Sequence, residues 1–156
     1  MQNGKENVNM NESFLYFGYG CALSQTLVEF RVNTSVEIIA TGELKHYALK
    51  FNRKNPDGTA RGNLCPVNND YTLGVVYKID KNKFEQLAQT EPKYALTQFD
   101  ILTDGGVICA YAFICQHCEV GIIPDTKYVN SIAEYARTLQ FPETYIEKIL
   151  MALPKG

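Results

Sequence analysis

Four clusters of turn-forming residues divide residues 14–115 into short apolar runs: Gly18-Tyr19-Gly20, Asn55-Pro56-Asp57-Gly58, Asn68-Asn69-Asp70 and Asp104-Gly105-Gly106. Glycine supplies positive φ, proline presets φ, and Asn or Asp bonds its own backbone, so such clusters reverse or bend a chain. The runs between them are rich in Val, Ile, Tyr and Phe and read as strands. FLYF at 14–17 predicts a buried strand ended by Gly18 and Gly20. VEIIATGELKHYALKFN at 36–52 predicts another, with Gly42 marking a bulge or bend. GNLCPV and LGVVYKI predict two strands joined by a turn at 68–70. LTQFDILT and VICAYAFIC flank Asp104-Gly105-Gly106 as a hairpin.

Helical signals are fewer. Ser24 caps a short helix over 24–31, and Asp80 caps one over 80–90 that Pro92 stops. Two helices close the chain. Tyr128, Ile132, Tyr135, Ala136 and Leu139 share a face of the first. The second starts at Pro142 and presents Tyr145, Ile146, Ile149 and Leu153. Strands first, with one helix between them and a helical pair last, predict an α+β fold. Its expected form is a small, mostly antiparallel β-barrel or curved sheet with peripheral helices.

The chain has 156 residues, a net charge of −2 and no basic block, which argues against a nucleic-acid or anionic-membrane partner. No apolar stretch approaches membrane-spanning length. Residues 1–12 are polar and Asn-rich, lack a signal-peptide core, and are expected to be a disordered tail preceding one domain at 13–156. Five cysteines, an odd number, predict free thiols in a reducing compartment, with the cytoplasm as the default. The expected assembly is a monomer or a homodimer.

Glu91 is the first candidate for chemistry. On the helix at 80–90, Phe84, Leu87 and Ala88 lie at i, i+3 and i+4, and Glu91 continues that apolar face at i+7. Burial and the helix C-terminus would both raise its pKa, as a proton-transfer group requires. The other reading is a frayed helix end with Glu91 in water. The Gly18–Gly20 turn would aim backbone N–H groups of the following residues at a carboxylate or an oxyanion. Tyr19, Tyr94, Tyr111 and Tyr128 can each line a pocket and offer a hydroxyl, or be ordinary core residues. Cys115-Gln116-His117-Cys118 lacks the second ligand pair that a zinc site needs, so buried structural thiols and no metal are expected. Cys21 has no base named by its neighbours and is a weak nucleophile candidate.

Taken together, these stretches resemble the γ-glutamylcyclotransferase family. The opening Tyr19-Gly20-Cys21-Ala22-Leu23 is similar to that family's Tyr-Gly-Ser-Asn-Leu. TGELKHYALKF and LGVVYKID are similar to its middle strands. LAQTEPKY places Glu91 and Tyr94 like the family's catalytic glutamate and the tyrosine after it, and Tyr111 in CAYAFIC matches a later strand tyrosine. The ending PDTKYVNSIAEYARTLQFPETYIEKIL resembles the family's two closing helices and brings Tyr128. The likeness spans about residues 14–153.

The resemblance implies a cofactor-free reaction in which the α-amine of a γ-glutamyl group attacks its own γ-carbonyl. The products would be 5-oxoproline and a free amino acid or amine. Glu91 would be the general acid/base. Residues Tyr19, Gly20, Cys21, Ala22 and Leu23 would bind substrate through their backbone, with Tyr94, Tyr111 and Tyr128 shaping the pocket. This sequence departs from the family at Cys21-Ala22, in place of Ser-Asn, and at Pro92 and Gln140, in place of glycines. Those changes keep three other readings open: a γ-glutamyl-binding module without turnover, a cyclotransferase for a γ-glutamyl amine or biosynthetic intermediate, and a Cys21 thiol enzyme.

Overall fold

The structure is a computed structural model that describes residues 13–154, apart from the side chain of Phe84. The tail at 1–12 and the Phe84 contribution to the helix face lie outside the described residues. Five strands form a closed barrel in the order β1-β3-β2-β4-β5. They are β1 (Ser13–Gly18), β2 (Glu37–Lys54), β3 (Ala60–Asp80), β4 (Ala95–Thr103) and β5 (Gly106–Ile114). Among the described residues four α-helices accompany them: α1 (Gln25–Val32), α2 (Phe84–Gln89), α3 (Thr126–Thr138) and α4 (Glu143–Leu150). The fold is therefore the expected α+β barrel with peripheral helices. No helix among the described residues is long and apolar enough to cross a membrane.

Period-two alternation sorts the strand residues into two cores. Phe17, Leu44, Leu64, Val76, Ile101, Ala110 and Ala112 form one cluster made of strand residues, together with Tyr19. Their neighbours Tyr16, Val75, Tyr77 and Phe113 face the other way and pack with Val28, Val32, Ile132, Ala136, Ile146 and Ile149 of the helices. On α3 the deepest residues are Val129, Ile132, Ala133 and Ala136, so the buried stripe runs about one position away from Tyr135 and Leu139. Gln140, which stands where the family has glycine, ends α3 with φ 62°, the left-handed conformation that glycine adopts without strain. Pro142 is the cap of α4, and the helix proper starts at Glu143.

Three local expectations are corrected. Residues 60–80 form one strand, not two: Lys45 pairs with Tyr71 and Tyr47 with Pro66, so residues 67–70 stand opposite His46 alone. Asn69 takes φ 64° there, but the excursion is a bulge in a strand that keeps its direction. Asp80 ends β3 rather than capping a helix; a 3₁₀ turn at Lys81–Lys83 intervenes, and α2 has Lys83 at its cap. Gly42 is not a bulge. The β2–β3 irregularities fall at Ile38/Ala40, Lys45/Tyr47 and Phe51/Arg53, whereas Gly42 sits in register with Gly74.

That glycine pair is a place of close approach. A Cβ on Gly42 would lie 2.5 Å from Ile101 Cγ2 and 2.8 Å from the Leu102 carbonyl oxygen. One on Gly74 would lie 2.5 Å from both the Gly18 carbonyl oxygen and Phe17 Cζ. Bare backbone thus lets β2 press on β4 and β3 press on β1. Gly74→Ala is expected to cost about 1–3 kcal/mol, as overpacking does. For a domain of this size each kcal/mol lowers Tm by about 2–4 °C. Gly105→Ala, which meets nothing nearer than Thr103 Oγ1 at 3.9 Å, should stay within about 0.5 kcal/mol of the parent. Equal melting temperatures for the parent and the Gly74 variant would refute the packing argument.

Candidate active site

At the end of β1 the chain enters a 3₁₀ turn, Gly20–Leu23. Gly20 has φ 60°, and the turn folds back so tightly that a Cβ on Gly18 would lie 2.6 Å from the Ala22 carbonyl oxygen. The buried Tyr77 hydroxyl donates to that same carbonyl (2.7 Å) and fixes the turn to β3. The Ala22 N–H is engaged by the Tyr19 carbonyl at 3.0 Å. The first amides of such a turn have no partner within it, which leaves Gly20 and Cys21 as its outward donors. Ser24 then caps α1, its hydroxyl accepting from the Leu27 N–H at 3.1 Å, as the sequence predicted.

The turn forms one wall of a small cavity that Tyr16, Tyr19, Cys21, Arg31, Arg61, Glu91, Tyr94, Phe113 and Tyr128 complete. Its free volume is only about 20 Å³, enough for about one water. Glu91 is 7% exposed, so the frayed-end reading is excluded. Its backbone continues from α2 through a turn, the Glu91 N–H bonding the Ala88 carbonyl and the Glu91 carbonyl accepting from the Tyr94 N–H, both at 3.0 Å. Arg31 Nη1 and Arg61 Nη2 both donate to its Oε1, at 3.0 Å and 2.6 Å. Both of these bonds go to Oε1, and neither arginine bonds Oε2. Burial pushes the Glu91 carboxyl above the ordinary glutamate range, while Arg61, Arg31 and Arg53 pull it back down.

Tyr94 and Tyr128 converge on one peptide. The Tyr94 hydroxyl donates to the Gly62 carbonyl (2.6 Å), and the Gly62 N–H donates to the Tyr128 hydroxyl (3.1 Å). Tyr19 donates to the Phe113 carbonyl at 2.5 Å. Burial raises the phenols of Tyr16, Tyr19, Tyr94 and Tyr128 above the ordinary tyrosine value, so they act as neutral hydrogen-bonding groups. Glu91 is the carboxylate of that lining.

Other expected residues fall outside the cavity lining. Leu23 is buried in the helix-side core, and Tyr111 packs on Phe14 with ring centroids 5.8 Å apart, two residues before Phe113 on β5. Cys21 does line the cavity, where its sulfur accepts from Arg31 Nη2 at 3.7 Å. Among the described residues no histidine lines the cavity, so nothing beside this thiol resembles the base of a cysteine hydrolase. Of the two cysteines expected to be buried thiols, Cys115 is buried but Cys118 is exposed; Cys109 on β5 is exposed as well. Among the described residues no group of three or more His, Cys, Asp or Glu side chains could hold a metal ion. A wider cavity of about 410 Å³ lies between β2, β3 and α4, but its Asp70 and Lys148 pair with each other.

Arg31, Arg61 and Arg53 escaped the sequence reading. Arg61 lies 30 residues and Arg31 60 residues from Glu91 in sequence, and no local pattern connects them. Arg61 is the second residue of β3, and Arg31 is the penultimate residue of α1, which also carries Gln25, Thr26 and Glu29, so neither position stands out locally.

Comparison with known proteins bears on the fold. No family model and no curated protein matches the chain. A solved structure of a gamma-glutamyl cyclotransferase is similar, with TM-score 0.83 and 23% identity over 92% of this chain and 90% of that one. An uncharacterized human protein gives TM-score 0.83 and 24% identity over the same shares. YkqA from Bacillus subtilis gives TM-score 0.78 and 22% identity over 99% of this chain but only 60% of its own. The chain has the fold of gamma-glutamyl cyclotransferase.

Proposed function

We propose that this protein cyclises a γ-glutamyl group without a cofactor, releasing 5-oxoproline and the amino acid or amine that was attached. The observation that carries the reading is Glu91: a buried carboxylate with one oxygen held and one free, beside the outward amides of a strand-to-turn loop. Ring closure is intramolecular, so holding the folded conformer supplies much of the rate. The α-amine first loses a proton to solvent and then attacks the γ-carbonyl carbon. Glu91 Oε2 takes the proton that the attacking nitrogen sheds and returns it to the departing nitrogen as the amide C–N bond breaks. The amides of Gly20 and Cys21 bind the α-carboxylate or the developing oxyanion. Tyr94 and Tyr128 hold the γ-glutamyl chain against Gly62.

The test is 5-oxoproline release from γ-glutamyl-alanine, other γ-glutamyl dipeptides, γ-glutamyl-lysine and glutathione. Product is expected from at least one of them. Glu91 acts in its ionised form, so activity falls as pH drops through its pKa. Because that pKa is raised, the acidic limb of kcat/KM should lie above 4.5, the ordinary value for a glutamate. A limb at or below that value would remove Glu91 from the role. The narrow cavity and the Cys21-Ala22 replacement favour one rival, a γ-glutamyl-binding module without turnover. Folded protein that binds these compounds and releases no product would establish that rival.

A further inference from the structure

Two asparagines gather a pair of thiols where the loop after β5 meets the β2–β3 ladder. Asn52 falls at the Phe51/Arg53 irregularity of β2. Its Nδ2 donates to Cys65 Sγ at 3.2 Å, and its carbonyl accepts from the Glu119 N–H at 2.8 Å. Asn63 stands two positions before Cys65, on the same face of β3. The Asn63 Nδ2 has only two protons, and its nearest acceptors are the Cys115 carbonyl at 2.8 Å and Asn52 Oδ1 at 3.2 Å. Cys118 Sγ at 3.5 Å and Cys65 Sγ at 3.8 Å are thus two sulfurs crowded around one nitrogen. Cys118 is an exposed residue, yet partial burial of its sulfur, and after that the Cys65 thiol beside it, raises it above the ordinary thiol range. Cys115 and Cys118 have Cys-x-x-Cys spacing, but their sulfurs take different partners. Cys115 Sγ donates to the His117 carbonyl at 3.5 Å, whereas Cys118 Sγ lies against Asn63 and the Cys115 carbonyl.

We propose that Cys65 and Cys118 are a redox pair that closes reversibly into a disulfide and clasps the loop after β5 to β3. The co-reactant is a low-molecular-weight disulfide. Cys118, the exposed member, attacks one of its sulfurs as a thiolate, the small S–S bond breaks, and the first small thiol departs. Cys65 then attacks the Cys118 sulfur of the mixed disulfide and expels the second small thiol. Two protein thiols are oxidised, one small disulfide is reduced, and the two protons end on the released thiols. Asn63 and Cys118 are 55 residues apart in sequence, so the bond closes a long loop and constrains the unfolded chain. The clasp sits beside Asn63, which directly follows the Gly62 peptide that Tyr94 and Tyr128 hold. It does not depend on the reaction proposed for the Glu91 cavity.

The experiment treats the folded protein with hydroxyethyl disulfide, which carries no γ-glutamyl group, and blocks the remaining thiols with N-ethylmaleimide. Tryptic peptides are then mapped by mass spectrometry. The expected product is a disulfide joining the peptide 62–78 to the peptide 94–127, with fragmentation placing the bond at Cys118. Cys118→Ala should abolish the link and Cys109→Ala should keep it; both residues are exposed in the parent. Oxidation should raise Tm by about 5–15 °C in the parent and leave it unchanged in Cys118→Ala. Dithiothreitol should reverse both changes. A Cys115–Cys118 bridge, a small thiol left on Cys118 without a cross-link, or a link between two chains would each overturn the pairing. So would no oxidation at all, or a cross-link that survives Cys118→Ala. A Cys65–Cys118 bond that leaves Tm unchanged would overturn the clasp.

Discussion

Replacing Glu91 by glutamine is expected to lower 5-oxoproline release by about 10²- to 10⁴-fold, the contribution of a positioned acid/base group, with the barrel still folded. The amide is nearly isosteric, and its oxygen can still accept from Arg61 and Arg31 in the place of Oε1. On the proposed cyclisation, what disappears is the ability of the second oxygen to take a proton from the attacking amine. Removing one partner of a buried ion pair can cost about 3–5 kcal/mol. Both arginines here reach solvent, at 16% and 19% exposure, so their charges can turn outward and much of that cost is avoided. Far-UV circular dichroism and a melting curve check the fold. Glu91→Asp keeps the charge but draws it back by one methylene, and should fall between the glutamine variant and the parent. Near-parental turnover by Glu91→Gln, combined with inactivation by alkylating Cys21, would transfer the chemistry to the thiol.

Asn63→Leu should be the most damaging stability change, at about 2–6 kcal/mol. Asn63 is fully buried on β3 and behaves like a piece of strand. Its Oδ1 accepts from the Cys115 N–H (2.9 Å) and the Leu64 N–H (3.0 Å), and its Nδ2 donates to the Cys115 carbonyl (2.8 Å). One side chain thereby replaces the ladder bonds that β5 lacks at its end. Leucine fills the volume and leaves both polar groups of Cys115 unpaired, each costing about 1–3 kcal/mol. Urea unfolding reads this as a lower midpoint with an unchanged slope. A loss below about 1 kcal/mol would mean that water reaches Cys115 and takes over the bonds. Because Gly62 and Arg61 precede Asn63 directly, turnover should fall as well.

How much of this was legible in the sequence follows from the range of the forces involved. Glu91 was legible because a helix repeats every 3.6 residues, and a carboxylate on the apolar stripe is out of phase with its charge. The β4–β5 hairpin was legible because Asp104-Gly105 fixes it locally. Asn68-Asn69-Asp70 carried the same kind of local signal and produced a bulge, because long-range pairing of both halves of β3 with one β2 overrode it. The arginines were illegible for a related reason. A guanidinium finds its carboxylate through the barrel closure, and no short window of sequence contains that closure. Gly42 was visible as unusual, but only the press of β4 against it, through Ile101 and Leu102, explains why.

The circumference of the barrel is not stitched evenly. β2 and β3 form one long ladder, whereas the β4–β5 leaf joins β2 through the single pair Glu43–Leu102 and β1 through Tyr16–Tyr111. Glu91 and Tyr94 lead into that leaf and Phe113 lies on it, while Arg61, Gly62 and the Gly20 turn belong to the firmly laced half. Glu91 therefore sits at the hem between a stiff cloth and a lightly tacked panel. Where the ladder is thin, side chains do the sewing: Asn63 ties in Cys115, Tyr19 ties in Phe113, and Tyr94 ties in Gly62.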